Sequence, residues 1–240
     1  MIGIGTIINC VAVVIGGLIG LFLKNLFSKN MQIGLKRACG VCVIFISISS
    51  AMEKMLKISG SELISEKSML IIVCMTLGTF IGELINIDGR FQCFGEFLKN
   101  KTGNKGDNDF INAFLTASFT TCIGAMTIIG PLEDALRGDL TILVIKSILD
   151  FIMVAVLTSS IGKGAIYSAI PIFIFEGAIT LLASFISPFI NDLIINYISL
   201  IGSVLIFCVG INLIWDNIIK VANILPSIIL AIIFAGFNLF

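Results

Sequence analysis

The sequence predicts an all-α polytopic membrane protein with about eight transmembrane helices, or seven as the fallback. Three observations predict this class: 58% of the 240 residues are hydrophobic, the mean hydropathy is +1.11, and only 12% are charged. A soluble domain usually carries about a quarter charged residues. Here the charges cluster between apolar runs of about 20 residues, the length that crosses a bilayer. These features exclude a soluble globular enzyme, a disordered chain and a nucleic-acid binder.

Eight apolar stretches are long enough to span a membrane. They are residues 2–23, 33–52, 68–86, 110–130, 140–161, 164–186, 193–214 and 219–240. The connection Gly162-Lys163-Gly164 is so short that it predicts a tight helical hairpin between the fifth and sixth spans. Asn223 and Pro226 interrupt the last stretch, which is why seven spans are the fallback.

Orientation follows from the lysines and arginines, which concentrate in cytoplasmic loops. Loops after odd-numbered spans hold Lys24, Lys29, Lys36, Arg37, Arg90, Lys99, Lys101, Lys105, Lys163 and Lys220, whereas loops after even-numbered spans hold Lys54, Lys57, Lys67 and Arg137. This asymmetry predicts a multi-pass protein with its N-terminus outside and its odd-numbered loops in the cytoplasm.

We expect residues 1–240 to form a single integral membrane domain. Its longest connection, 87–109, divides into two parts. Phe91, Phe94, Phe97 and Leu98 recur at helical spacing and predict an amphipathic helix on the cytoplasmic interface. The following Gly, Asn, Lys and Asp residues to position 109 predict a flexible loop.

A weak internal similarity relates residues 8–54 to residues 170–217. It pairs spans 1–3 with spans 6–8. Because spans 1 and 6 cross in opposite directions, the pattern predicts an inverted-topology repeat, a design that recurs in transporters around a midplane site.

Small residues recur at every fourth position in three spans. They are Ala12, Gly16 and Gly20; Gly78 and Gly82; and Ala113, Ala117, Thr121 and Ala125. Such ridges let membrane helices approach closely. They predict helix packing within the chain or between subunits, and a ridge that faces outward would suit a homodimer.

Ionisable residues inside apolar spans are the strongest candidates for function, because a charge at a helix centre costs about 2.5–3.5 kcal/mol to insert. Asp150 lies at the middle of span 5 and Glu176 at the middle of span 6. Lys146 precedes Asp150 by one turn on the same helical face. We expect the three to share one buried locale; the alternative is an ion pair of Lys146 and Asp150 that only fixes helix packing. Pro171 lies five residues before Glu176, where it frees a backbone carbonyl and can kink the helix, as transporter binding sites often require.

Span 4 carries a polar face. Thr116, Thr120 and Thr127 follow Asn112 at roughly helical-turn spacing. These hydroxyls either line a wetted path or bond to backbone carbonyls one turn back. Pro131 is expected to end the span, and Glu133, Asp134 and Asp139 then predict an acidic outer loop that either attracts cations or is simply solvated.

Several classes of chemistry are excluded by what the sequence lacks. It contains no histidine, so histidine zinc sites, Ser-His and Cys-His triads and imidazole proton relays are ruled out. It also has no P-loop and no metal-ligand constellation. We therefore expect no enzyme activity, no cofactor, no metal and no nucleic-acid partner.

Five segments resemble one known family in the same order along nearly the whole chain. They are GTIINCVAVVIGGLIGLFLK at 5–24, LGTFIGELINIDGR at 77–90, FLTASFTTCIGAMTIIGPLEDAL at 114–136, KSILDF at 146–151 and VANILP at 221–226. The family is the YqgA-like family of uncharacterised bacterial inner-membrane proteins, a domain of unknown function regarded at most as a candidate transporter. The resemblance implies a bacterial cytoplasmic membrane location. It draws attention to Lys146, Asp150 and residues 122–126, but implies no substrate.

Together these features favour a small secondary transporter or ion-conducting protein for a small solute or cation. Asp150, Glu176 and Lys146 form its predicted binding site, and Thr116, Thr120 and Thr127 line the predicted path. The expected partners are the lipid bilayer, the transported species and a second copy of the chain. A non-transporting membrane scaffold or assembly subunit is the alternative.

Overall fold

A computed structural model describes residues 3–24, 26–59, 62–104, 106–107, 109–124, 126–215 and 218–237. Most of these residues are helical, and several helices are long and apolar enough to cross a membrane. The predicted all-α polytopic membrane fold is therefore confirmed. Some residues of the predictions lie outside the described residues. They are Ala125 of the predicted ridge, Lys105 and Asn108 of the predicted flexible loop, residue 2 of the first predicted span and residues 238–240 of the last.

The helices follow the chain in this order: α1 (Ile4–Lys24), α2 (Lys29–Met55), α3 (Ser68–Ile85), α4 (Ile87–Lys101), α5 (Phe110–Cys122), α6 (Met126–Arg137), α7 (Thr141–Ser160), α8 (Ala169–Ile186), α9 (Asp192–Trp215), α10 (Val221–Ile224) and α11 (Pro226–Gly236). Short 3-10 turns at Lys163–Ser168 and Ser187–Phe189 flank α8. Asn86 joins α3 to α4 in the left-handed conformation (φ 51°), which asparagine adopts more readily than most residues.

Two short strands that the sequence did not predict follow α2. Strand β1 (Leu56–Ser59) pairs antiparallel with β2 (Glu62–Ser65), with Leu56 opposite Ser65 and Ser59 opposite Glu62. From the sequence alone this segment is taken for a polar loop, because alternation of polar and apolar residues over only four positions does not distinguish a strand from a turn.

The described residues divide into two compact units. The first comprises the described parts of 1–39 and 91–189, and the second those of 40–90 and 190–240. Helices α2 and α4 contribute residues to both units. The single integral domain stays a prediction.

In the first unit, α1 and α7 pack side by side in the same direction. Near their first turns Gly5 of α1 lies against Leu143, and near their ends Gly20 lies against Ala155. The Cβ that an alanine would add at Gly16 would meet the carbonyl oxygen of Phe151 and would lie 3.1 Å from the Phe151 carbonyl carbon and Cα. The predicted small-residue ridge of span 1 is thus used within the chain, where it lets two membrane helices approach closely.

Helices α5 and α6 together have the length and hydropathy of a membrane span, but they are separated by a break, as in a broken span or a re-entrant loop. The break falls at Gly124, whose φ of +145° is left-handed backbone that favours glycine. The two helices are bent by 57°. Phe110 at the start of α5 lies against Gly164 beyond the end of α7, while Asp134 near the end of α6 bonds to Gly5. The pair therefore runs the length of the unit, antiparallel to α7.

Six described helices or helical segments satisfy the length and hydropathy of a membrane span, and the bent pair α5–α6 would be a seventh if it crosses as one span. The segment predicted as an eighth span is the shorter apolar helix Val221–Gly236. Asn223 and Pro226 fall where α10 gives way to α11. The number of spans, about eight or seven as the fallback, stays a prediction.

In the second unit, α3 packs against α10 and α11. Gly78 lies against the backbone of Ser227, and Gly82 against that of Asn223. The Asn223 side-chain oxygen accepts the backbone N–H of Asp88 at 2.7 Å. This second predicted ridge is also used within the chain, so neither it nor the ridge of α1 provides a surface for a homodimer.

The predicted amphipathic helix corresponds to α4. In the first unit its aromatic face packs against α5: the Phe91 and Phe119 ring centroids are 5.4 Å apart, and those of Phe94 and Phe114 are 5.9 Å apart. Leu98 is buried and Phe97 is exposed. Much of the apolar face thus covers protein, and its position at the membrane interface stays a prediction.

Candidate functional site

Four side chains meet at the centre of the first unit. They are Asn9 of α1, Lys146 and Asp150 of α7, and Glu176 of α8. All four are buried, and Glu176 and Asn9 are completely inaccessible. We call this group the carboxylate ring, because two donors bridge the same two carboxylate oxygens. The three predicted site residues Lys146, Asp150 and Glu176 are therefore brought together.

The Lys146 ammonium group supplies one bridge of the ring. It forms a hydrogen-bonded ion pair with Asp150 Oδ2 and lies 3.4 Å from Glu176 Oε1. It also donates to the backbone carbonyl oxygen of Thr121 at 2.7 Å. Because an ammonium group has three N–H donors, these contacts use its full bonding capacity.

Asn9 supplies the other bridge and was not predicted. Its side-chain nitrogen donates to Asp150 Oδ2 at 3.1 Å and to Glu176 Oε1 at 2.9 Å. Both donors therefore converge on the same two oxygens. By contrast, Glu176 Oε2 and Asn9 Oδ1 are buried and have no hydrogen-bond partner among the described residues.

The charges of the ring do not cancel. With every group ionised, one lysine faces two carboxylates and the net charge is −1. A buried, uncompensated charge is unfavourable in a membrane, so such a ring attracts a proton or another cation. It has no attraction for an anion, because the single positive group is already shared between two acids.

The break between α5 and α6 presents a backbone carbonyl to the ring. Thr121 is the penultimate residue of α5, so its carbonyl is among the last four, which have no partner within the helix. Lys146 donates to it, and Thr127 Oγ1 lies 3.4 Å from the same oxygen. A cation at a helix C-terminus is also favoured by the helix dipole.

The predicted threonine path is only partly associated with the ring. Thr127 is buried and shares the Thr121 carbonyl with Lys146. Thr120 donates to the Thr116 carbonyl at 2.7 Å, and Thr116 donates to Asn112 Oδ1 at 3.2 Å. Thr120 thus bonds to a backbone carbonyl one turn back, as the second of the two predicted alternatives has it. Thr116 instead bonds to a side chain one turn back on its own helix.

One proline expectation is wrong. Pro131 does not end the predicted fourth span, because it lies inside α6, which continues to Arg137. Pro171 is the third residue of α8, in the first turn, where a missing N–H costs no helical hydrogen bond, and the kink expected from it stays a prediction.

The predicted acidic outer loop is also corrected. Glu133 and Asp134 belong to α6 rather than to a loop. Asp134 is buried and accepts the backbone N–H of Gly5 at 3.0 Å. That N–H is one of the free donors in the first turn of α1, where a carboxylate is favoured. Only Asp139 remains in the connection to α7.

Sequence reasoning missed Asn9 and the carbonyl of Thr121. Asn9 is the single amide inside the apolar run of α1, and an amide in a membrane helix needs a hydrogen-bond partner. For the break, the available signal was Gly124, within the segment 122–126 that the family resemblance had already marked.

Comparisons with known proteins agree with this description. Residues 4–236 match the family model described as "Protein of unknown function (DUF554)". The chain is 31% identical over 227 residues to the "Uncharacterized membrane protein YdfK" of Bacillus subtilis (strain 168), covering 94% of this chain and 93% of that protein. It is 22% identical over 232 residues to the "Uncharacterized protein YqgA" of Escherichia coli (strain K12), covering 95% and 94%. No solved structure matches.

The family model covers nearly the whole chain, and both relatives align along almost their full lengths. The predicted resemblance to the YqgA-like family is thereby confirmed. The chain belongs to the DUF554 family, and it is a membrane protein with several apolar spans.

Proposed function

We propose that the protein is a small secondary transporter or ion-conducting protein of the bacterial cytoplasmic membrane, with its N-terminus outside. The carboxylate ring is its binding site, and the species bound is a cation or a small cationic solute. The observation that carries the proposal is the ring itself: two buried acids share one lysine, so the ring has an unbalanced negative charge.

The position of the ring supports transport. Asp150 is the tenth of the 20 residues of α7, so its carboxylate belongs to the middle of that span. A purely structural ion pair needs only one acid for each base. Retaining a second acid that is fully inaccessible is costly in a membrane unless it binds something.

The broken span supports the same function. Discontinuous helices at a buried polar site are a recurrent feature of transporters, because their free backbone groups coordinate ions and their halves move separately. Here the carbonyl at the end of α5 contacts Lys146, which in turn contacts both acids. Occupancy of the ring is thereby linked to the position of α5.

The scaffold function is the second candidate, and one observation favours it. Lys146 and Asp150 have the saturated contacts of a pair that holds helices together. This function requires Glu176 to be dispensable, which makes Glu176 the residue that separates the two candidates.

The test is flux in proteoliposomes loaded with a panel of monovalent cations, protons and small cationic solutes. Wild type is compared with Glu176→Gln and Asp150→Asn, and with Glu83→Gln as the matched control, an acid of α3 that is half exposed beside Lys220. We expect flux in wild type and the control and a loss of at least about tenfold in Glu176→Gln. Equal flux in all four folded proteins would show that the carboxylate ring is not the transport site, and no flux across the panel would favour the scaffold.

A further inference from the structure

The two carboxylates of the ring have different surroundings. Both acids are contacted through one oxygen: Asp150 Oδ2 accepts from Lys146 and Asn9, and Glu176 Oε1 accepts from Asn9 with Lys146 farther away at 3.4 Å. The acids differ in their burial, because the Asp150 side chain keeps 11% of its exposure whereas Glu176 is completely inaccessible, and its Oε2 has no hydrogen-bond partner among the described residues. A buried carboxylate oxygen without a donor is costly in its ionised form. Glu176, rather than Asp150, is therefore the acid at which a proton or another cation would neutralise the ring.

The ring offers too few oxygens for a metal ion. Within the ring, the buried oxygens that lack a partner among the described residues are Glu176 Oε2 and Asn9 Oδ1. Hard metal cations take about six or more oxygen ligands, and the described residues contain no group of three or more acidic or cysteine side chains arranged to hold a metal. A proton needs only one oxygen, to which it bonds covalently.

Further unpartnered hydroxyls lie on both sides of the ring within the first unit. Thr6 Oγ1 is one turn before Asn9 on α1. On the other side, Ser168 precedes Ala169, whose carbonyl accepts from Cys10, and Thr158 lies beside Gly20. None of these three buried hydroxyls has a hydrogen-bond partner among the described residues. Buried hydroxyls without a protein partner are those that bind water, and bound water conducts protons between such groups.

We infer that the ion bound by the ring is a proton, carried on Oε2 of Glu176 and exchanged through the hydroxyls of Thr6, Ser168 and Thr158. This inference rests on the proposed function and names its ion. On loading, an O–H bond of a hydronium ion on one side of the membrane breaks, a new O–H bond forms at Oε2 of the carboxylate, and water is left behind. On release, the O–H bond at Oε2 breaks and the proton bonds to water on the other side, which becomes hydronium. Throughout the cycle Lys146 stays protonated and Asp150 stays ionised.

The groups that face Glu176 are consistent with a single exchanged proton. From α7 these are Lys146 and Asp150, from α1 the thiol of Cys10, and from α5 the thiol of Cys122. The acid of α6, Asp134, does not belong to this group, because it accepts the backbone N–H of Gly5, one turn before Asn9 on α1. Lys146 and Asp150 compensate each other, so protonation of Glu176 brings the ring to neutrality.

The test is infrared spectroscopy of the purified full-length protein at neutral pH. Exposed carboxylates are ionised at this pH because their pKa values lie near 4, so a protonated carboxylic acid shows its carbonyl band against a clear background. We expect this band in wild type, a shift of the band when glutamate but not aspartate is labelled with ¹³C at the carboxyl, and no band in Glu176→Gln. Thr180→Val is the matched control, since Thr180 bonds only to the backbone carbonyl of Glu176.

The labelling experiment uses unaltered protein and stays decisive where a variant does not fold. Absence of the band at neutral pH, or a shift with labelled aspartate, would overturn the assignment to Glu176. A band that sodium ions remove, but choline does not, would overturn the choice of a proton.

Flux separates this inference from the function on which it rests. Flux that is lost in Glu176→Gln, in a protein without the band, keeps the transporter and contradicts the proton. The band without any proton or cation flux contradicts transport and leaves Glu176 as a buried neutral acid.

Discussion

The Lys146 ammonium nitrogen lies 2.7 Å from the carbonyl oxygen of Thr121, across 25 residues of sequence. Through this contact the end of α5 is tied to the two acids of the carboxylate ring. A lysine that pairs only with Asp150 would leave α5 free to move independently of the ring. The contact thus joins the broken span and the buried charges into one structural element.

Replacing Lys146 should therefore be among the most damaging single changes. Lys146→Met leaves two acids without a cation and the Thr121 carbonyl without a donor. Removing one partner of a buried ion pair costs about 3–5 kcal/mol. We expect a loss of this size in the free energy of unfolding, measured by titration with a denaturing detergent.

Two variants serve as controls for that prediction. Lys146→Met combined with Asp150→Leu removes both partners and should recover much of the lost stability. Lys101→Met, at an exposed position near the end of α4, should change stability by no more than about 0.5 kcal/mol. Equal stability of Lys146→Met and Lys101→Met would show that the pair is not formed.

Gly16 should not tolerate even one methyl group. A Cβ at this position would meet the carbonyl oxygen of Phe151, with the Phe151 carbonyl carbon and Cα at 3.1 Å. Because backbone does not move aside as a side chain does, Gly16→Ala should destabilise the protein by about 1–3 kcal/mol. Gly177→Ala in α8 is the control: its Cβ would meet no atom within 4 Å, and helix propensity favours alanine by up to about 1 kcal/mol. Indistinguishable unfolding curves for the two variants would refute this packing.

Thr158→Val should increase stability while it reduces proton flux. The Thr158 hydroxyl is buried without a hydrogen-bond partner among the described residues, and valine has nearly the same shape. Removing a buried hydroxyl that has no protein partner, together with the water that it binds, should stabilise the protein by about 1 kcal/mol. If the hydroxyl conducts protons, flux in proteoliposomes should fall severalfold.

Ser147→Ala is the control for this prediction. The Ser147 Oγ donates to the Leu143 carbonyl at 2.6 Å, so losing this hydroxyl should not raise stability. Unchanged flux in Thr158→Val would remove this hydroxyl from the path.

Asp139 should make the stability of α7 depend on pH. Hydrogen bonds from the Thr141 side chain and backbone N–H hold the pKa of the exposed Asp139 carboxyl below its usual value. A lowered folded-state pKa means that the stabilisation is complete above the unfolded value of about 3.9 and is lost as the pH falls through the folded value. Wild type should exceed Asp139→Asn in stability at neutral pH and approach it in acid. A constant difference down to about pH 2 would contradict this prediction.

The predicted orientation can be tested at Cys93. This cysteine is exposed on α4, in the connection between the third and fourth spans. With the N-terminus outside, a membrane-impermeant maleimide should label it in inside-out vesicles and not in right-side-out vesicles. Because Cys42 is also exposed, the test is made in a Cys42→Ser background, where Cys93→Ser should abolish the signal; Cys39, Cys74 and Cys208 are buried. Labelling from the outside would reverse the orientation.

The amino-acid sequence determined the class of the fold and the positions of most spans. This was possible because each helix in a bilayer must satisfy its own backbone hydrogen bonds, which makes an apolar run of sufficient length a local signal. The pairing of Lys146 with Asp150 was predictable for the same reason, since residues four apart share a helical face. The break at Gly124 was missed because glycine is also common inside unbroken membrane helices.

The tertiary structure decided which polar groups meet. Asn9 is 141 residues from Asp150 and 167 from Glu176, and no periodicity relates them. Their contact depends on the glycines of α1, which bring that helix against the backbone of α7, and on α8 returning beside α1. Local hydropathy places each charge at a depth in the membrane, but the partner that satisfies it is chosen only when helices distant in sequence pack together.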